Sequence, residues 1–303
     1  MNSIIRRIKN LFKPEFELIS NQLEELKILN SKGIIEINKK KNSSNIHDYE
    51  FKVFSQWGDD GSIQFLTDHL TIKNKTFIEF GVQDYSESNT RFLLMNNNWS
   101  GFIMDGSKEN IEKIKSFPWF WKHDLNAEAH FINLDNINQL LSKSKYNDLG
   151  ILHIDIDGVD YWIWQKINIE HLRPSIVIIE YNSTFGKDKE LTVPYDASFV
   201  RSKKHYSNLY YGASLKALIN LSIKKGYIFI GCNSNGNNAY FIRKELQTSL
   251  IKEVNIEEGF VDSKFREGRN EKGELTYLMG EEKINQLKGM PIINLETNLV
   301  EYL

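Results

Sequence analysis

The sequence is short of the residues that staple, kink or span. It has 303 residues and one cysteine, Cys232, so no disulfide can close within the chain. That fits a reducing compartment, with a cytoplasmic location expected. Cys232 has no metal-ligating neighbour at a usual spacing and reads as a buried, inert thiol. There is no run of about 18 apolar residues, so no membrane-spanning helix is expected. The opening "MNSIIRRIKNLFKPEF" lacks the apolar core and small-residue cleavage site of a secretory signal. Neither charge sign dominates: 38 basic against 40 acidic residues leave −2. This gives no general attraction to nucleic acid, and no nucleic-acid partner is expected. The dinucleotide fingerprint GxGxxG is missing, and no internal repeat is visible.

What is present suits a folded α/β chain. Hydrophobic residues make up 41% and charged residues 26%, a balance compatible with a full core. Near the start, Ile4, Ile5, Ile8, Leu11 and Phe12 share one helical face, with Arg6, Arg7, Lys9 and Lys13 elsewhere. Such a helix suits docking onto the domain or a partner chain, including a second copy. It also suits the anionic inner face of a membrane. A second helix is expected from Pro14 to about Asn30, stopped by "SKG". The polar stretch Asn38 to Asp48 reads as a linker. Residues 1–50 thus form a helical extension and linker, 51–245 an α/β domain, and 246–303 a tail packed on it with a helix near 281–288.

Within the domain, 76–82, 100–106, 150–157 and 175–182 are short, β-branched and bounded by turn residues. Helix-compatible stretches lie between them at 88–97, 108–116, 133–144 and 159–168. The alternation predicts a mostly parallel sheet with helices on both faces. A helix over 213–226 follows, then strands 227–233 and 238–244 joined by "SNGN", an antiparallel hairpin.

Ligands of open α/β sheets bind at the carboxyl ends of the strands, so the candidates are read there. Glu79 and Gly81 close the first strand, and Ser88, Asn89 or Thr90 can cap the next helix. Asp105, followed by Gly106 and Ser107, closes the second and is placed to bind ribose hydroxyls or to cap a helix. Asp124, in "WFWKHDLN", is placed to meet an adenine amino group or to serve a turn. In "GILHIDIDGVDYWIW", strand alternation puts His153, Asp155 and Asp157 on one face. Gly158 ends that strand, and Asp160 opens the next helix. Glu180 and Asn182 close the neighbouring strand. With Asp157 they form an oxygen set for Mg²⁺ or another divalent cation, or for deprotonating a hydroxyl. His205 lies in a long loop with Tyr195, Tyr206, Tyr210 and Tyr211, which either line an acceptor pocket or pack the loop. Trp162 and Trp164 read as core.

The pieces "FIEFGVQDYSESNTRFLL", "GFIMDGS", "GILHIDIDGVDYWIW", "IVIIEYNS", "VPYD", "YYGASLKAL" and "GYIFIGCNSNGNNAYFIR" keep their order over about Phe54 to Arg243. This region resembles the S-adenosylmethionine-dependent methyltransferases of the FkbM type, especially bacterial members linked to surface-polysaccharide synthesis. The resemblance implies a Rossmann-like class I methyltransferase sheet. It implies that Glu79 and Gly81 occupy the methionine-side cofactor loop, that Asp105 binds ribose, and that Asp155 with Asp157 stands between cofactor and acceptor; by their places at the strand ends, Asn89, Thr90, Gly106, Ser107 and Asp124 are further expected cofactor contacts. The reaction expected from these residues is O-methylation of a sugar hydroxyl on a sugar nucleotide or glycan, with Asp157, directly or through a metal, and then His205 as candidate proton acceptors. The loop "QDYSESNT" departs from the family pattern, which carries an Asn-x-Gly there. Two other readings stay open: a non-catalytic scaffold in a glycan-assembly complex, and a nicotinamide-dependent oxidoreductase. Deleting residues 1–13 separates docking from membrane attachment: docking predicts an unchanged membrane-fraction content on cell fractionation.

Overall fold

The computed structural model describes the backbone of residues 2–303 and the side chains of 15, 16 and 18–303. The apolar face of Ile4, Ile5, Ile8, Leu11 and Phe12 lies outside the described residues. One helix, Asn2–Asn38, replaces the two expected. It runs through Pro14 and through Ser31-Lys32-Gly33, where a stop was read. Packing overrides the weak propensity of that stretch. Ile28, Ile34 and Ile35 dock on a cluster of Phe51, Val53, Phe54 and Phe92. Arg91 secures the same junction. Its guanidinium bonds Glu24 at 2.8 Å and stacks 4.2 Å from the Phe54 ring and 5.0 Å from Trp119. The face that docks leaves Phe16, Ile19, Leu23 and Leu26 exposed.

The domain is built on a seven-stranded sheet. Its strands are β1 (Thr76–Phe80), β2 (Ser100–Asp105), β3 (Leu125–Ala129), β4 (Ile151–Ile154), β5 (Ile176–Glu180), β6 (Tyr227–Cys232) and β7 (Asn238–Arg243). Their order is β3-β2-β1-β4-β5-β7-β6. The first five are parallel, and β7 is inserted antiparallel between β5 and β6. This is the Rossmann-like class I methyltransferase arrangement expected above. The order reverses between β1 and β4, which places a cleft at their carboxyl ends. Alternate residues feed two apolar layers: Ile78, Leu152, Ile154 and Val177 on one face, and Phe77, Ile151, Ile176 and Ile178 on the other. Helices Arg91–Asn97, Lys108–Ser116, Ile137–Lys143, Asp160–Lys166 and Leu215–Lys224 cover the faces.

Strand β3, one helix and a small sheet are among the elements that escaped the sequence reading. Strand β3, "LNAEA", is short and weak in β-propensity, and sheet edge pairing with β2 makes it a strand. A helix, Asp59–His69, is held by two buried carboxylates. Asp59 accepts from Asn233, Asn238 and Tyr240, and Asp60 accepts the amides of Val53, Phe54 and Ser55 at 2.7–2.8 Å. A small antiparallel sheet joins Leu191–Thr192 to the tail strands Pro291–Asn294 and Leu299–Tyr302. The tail helix is Glu281–Asn285, and Leu287 and Ile292 enter the main core. Among the described residues no helix is long and apolar enough to cross a membrane.

Gly61 allows the Asp59–His69 helix to press on the preceding segment. A Cβ there would stand 2.1 Å from the Tyr49 carbonyl and 2.3 Å from the Phe51 amide. Gly61→Ala is expected to cost about 2–3 kcal/mol, read as a lowered urea midpoint.

Candidate functional site at the carboxyl edge of the sheet

The end of β1 is organised by a buried charge. Glu79 accepts from Ser88 Oγ at 2.6 Å, from the Asn89 and Thr90 amides at 3.0 and 3.2 Å, and from the Thr90 hydroxyl. His153 Nδ1 reaches it at 2.9 Å from β4, and Asn89 Nδ2 lies 3.2 Å from His153 Nε2. Burial opposes charge on both groups. The Glu79–His153 bond outweighs it, holding the carboxyl below its usual range and the imidazole above. Ser88, Asn89 or Thr90 was expected to cap the next helix, and Thr90 holds the N-cap position. Their polar groups serve Glu79 instead, and Thr90 makes no side-chain cap bond.

Gly81, at φ +69°, passes directly beneath the loop after β4. An added Cβ would stand 1.7 Å from the Asp155 carbonyl oxygen. Its first reason to be glycine is therefore this backbone crossing, although it also lines the cleft. At the end of β2, Asp105 accepts the Gln83 and Ser107 amides at 2.8 Å each and Asn110 Nδ2 at 3.1 Å. Gly106 lines the cleft, and Ser107 caps the helix Lys108–Ser116 through its bond with the Asn110 amide.

Asp124 needs correction. It precedes β3, so it lies at the amino edge of the sheet, opposite the cleft. The residues that reach the cleft from β3 are His130, Phe131 and Ile132. They were missed because β3 itself was missed.

The expected strand 150–157 stops at Ile154. Asp155 to Asp157 form a loop, so alternation does not orient Asp157. It adopts φ +54°, a conformation that Asp tolerates better than most residues. Asp160 shapes this loop from the first turn of the next helix, accepting the Ile156 amide at 2.8 Å and the Gly158 amide at 3.0 Å. Burial pushes Asp160 up to about 6 against those bonds. Gly158 is not the strand breaker: a Cβ there would meet the Phe199 ring at 2.5 Å.

Asp155, Asp157 and Glu180 converge, with one oxygen of each within 4.8 Å of the others. Burial and then the charge of Asp157 push Asp155 up to about 8. Burial, with Asp155 and Asp157 nearby, raises Glu180 well above its usual range. Asn182 does not join them. Its Nδ2 donates to the Leu209 and Tyr211 carbonyls at 2.8 and 2.9 Å, and its Oδ1 accepts the Thr184 amide. Asp155 takes the place that Asn182 was expected to fill. Arg201 completes the group from a distant loop. It bonds Asp157 Oδ1 at 2.6 Å and Glu267, donates to the Asn208 carbonyl and stacks 3.7 Å over the Tyr211 ring. Burial works against its charge, but Tyr211, Glu180, Glu267 and Asp157 outweigh it.

His205 bonds Ser207 at 2.7 Å and stacks on Tyr206. It is not among the residues that line the cleft. The loop tyrosines are mostly structural: Tyr195 accepts the Leu134 amide, Tyr210 donates to the Pro291 carbonyl and Tyr211 carries Arg201. Trp164 is buried and donates to Ser222, and Trp162 donates to the Val193 carbonyl. Cys232 is buried, which pushes its thiol up to about 12.

Three cavities meet around these carboxylates. One of about 670 Å³ is lined by Gly81, Asp105, Gly106, Phe131, Asp155 and Asp157. A second of about 670 Å³ shares Gly81 and Asp155 and adds Gln56, Ser88, Asn89 and Asn238. A third shares Phe131, Asp157 and Phe199 with the first and adds Arg201, Asn208 and Glu267.

No protein-family model and no curated protein matches the sequence. Several solved structures share the general arrangement. The N-terminal domain of EvdMO1 with SAH bound is 7% identical over 62% of this chain and 80% of that one, with a TM-score of 0.38. Geranyl diphosphate C-methyltransferase from Streptomyces coelicolor A3(2) is 9% identical over 55% of this chain and 58% of that one, at 0.36. PKMT2 from Rickettsia typhi is 9% identical over 65% of this chain and 55% of that one, at 0.40. Similarity at this level says nothing about this chain's chemistry.

Truncating Glu79 would leave four buried donor groups and His153 without their acceptor. Glu79→Ala is expected to lose about 3–5 kcal/mol, with Glu79→Gln between it and the wild type, both measured by chemical denaturation.

Proposed function

We propose that this chain is an S-adenosylmethionine-dependent methyltransferase of the FkbM type. Its acceptor is a hydroxyl on a sugar nucleotide or glycan of a bacterial surface polysaccharide. The observation that carries this reading is the shape of the cleft. A trough crosses the reversal point of the sheet, polar at one end and aromatic at the other, with Asp155 at its middle. Asp157 stands where the trough opens into the third cavity.

The residues present fit the cofactor. Asp105 uses three of about four carboxylate acceptor positions on protein donors, which leaves one for a ribose hydroxyl. Beside it, a Cβ added to Gly106 would meet only Phe131, at 3.5 Å, so the wall is open there. At the polar end, Asn238 Oδ1 is buried without a hydrogen-bond partner and suits an ammonium group. The bound cofactor supplies a methyl group already activated on a sulfonium. The protein's work is then alignment and proton removal. Asp157, with its side chain 50% exposed, is the proton acceptor for the incoming hydroxyl. Arg201 fixes its orientation from behind. Phe131 and Phe199 offer apolar surface on the cavity shared by donor and acceptor, and an exposed ring such as Phe131 suits a sugar face.

Calorimetry with S-adenosylmethionine and its demethylated product tests this reading. Saturable binding is expected, retained in Asp157→Asn. That variant should lose about 10²–10⁴-fold in methyl transfer. No uptake of either compound would overturn the enzymatic reading, and full transfer by Asp157→Asn would overturn the role of Asp157.

A further inference from the structure

We infer that Asp155, Asp157 and Glu180 form a binding site for one hard divalent cation at the junction of the three cavities. Three features carry the inference, and none depends on the cofactor.

The first is geometry. One oxygen from each carboxylate lies within 4.8 Å of the other two. Two ligands on one cation, each at about 2.3–2.6 Å, stand at most about 5 Å apart. The oxygens are therefore close enough to share one ion of Ca²⁺ size.

The second is an orphaned oxygen. Glu180 is 7% exposed, and its Oε2 has no hydrogen-bond partner among the described residues. A buried carboxylate oxygen with no donor is costly unless a cation or proton meets it. Glu180 is itself a member of the carboxylate cluster.

The third is the distribution of countercharge. Two cationic groups stand beside the cluster, and both are committed elsewhere: His153 bonds Glu79, and Arg201 bonds Asp157 and Glu267, not Asp155 or Glu180. Arg201 is further committed to the Asn208 carbonyl and the Tyr211 ring. Asp155 and Glu180 keep their acceptor capacity, and Asp157 keeps the lone pairs that Arg201 does not use. The donor set is all carboxylate, with no nitrogen or sulfur. That selects Mg²⁺, Mn²⁺ or Ca²⁺ over softer metals. Asp157 opens to the cavities, which provides an entry path and room for water or an acceptor oxygen to complete the coordination.

The test uses Mn²⁺ alone with the full chain, followed by electron paramagnetic resonance of the free ion. One saturable site per chain is expected. Asp157→Asn and Glu180→Gln should each weaken it by at least about tenfold, whereas Asp135→Asn, at an exposed position, should leave it unchanged. Asp157 is on the surface, so its variant stays informative if Glu180→Gln fails to fold. Absence of saturable uptake up to about 1 mM, or equal uptake by all variants, overturns the site. Because no cofactor or acceptor is added, this result is independent of whether the chain transfers methyl groups.

Discussion

The carboxyl edge of the sheet depends on one buried carboxylate. Glu79, next to last in β1, has both oxygens committed. It gathers a loop through Ser88, Asn89 and Thr90 and a neighbouring strand through His153. A charge in that position is tolerable only while its donors stay in place. The donors therefore hold the loop after β1 and the end of β4 in one fixed relation. Gly81 follows two residues later and passes under the Asp155 carbonyl with no room for a side chain. The height of the loop after β4 over the sheet is set by that crossing.

A second layer of polar contacts turns this frame into a site. Asp160 draws the Ile156 and Gly158 amides inward and leaves Asp157 at the crest of a tight turn. Its neighbours Asp155 and Glu180 lie deeper, where burial disfavours charge. Arg201 reaches Asp157 from 44 residues along the chain and is held by stacking on Tyr211. The three carboxylates thus have different surroundings although two come from one short loop. Asp157 is solvated and paired, Asp155 is half-buried, and Glu180 is buried with an unmatched oxygen.

Outside the site, a buried cation plays the corresponding role. Arg91 is sandwiched near Phe54 and Trp119 and paired with Glu24. It joins the long first helix to the domain, and Ile28, Ile34 and Ile35 add the apolar contact. These contacts carry the helix past Gly33, where local preference alone would end it.

The sequence by itself determined six of the sheet's seven strands, most of its helices, the terminal hairpin and the acidic residues at the ends of β1, β2, β4 and β5. Each of these is written in local periodicity, because strands buried on both faces need apolar runs and their ends need turn residues. It did not determine β3, whose five residues lack a strand signal, and so Asp124 was assigned to the wrong edge and Phe131 was overlooked. Nor could it place Asn182, Arg201 or His205 relative to Asp157, or show that Asp155 joins the cluster. Those relations come from loops brought together over tens of residues, where packing and hydrogen-bond satisfaction decide direction and no repeating pattern along the chain records the outcome. Tertiary structure alone decided which carboxylates meet, which are paired, and which oxygen is left without a partner.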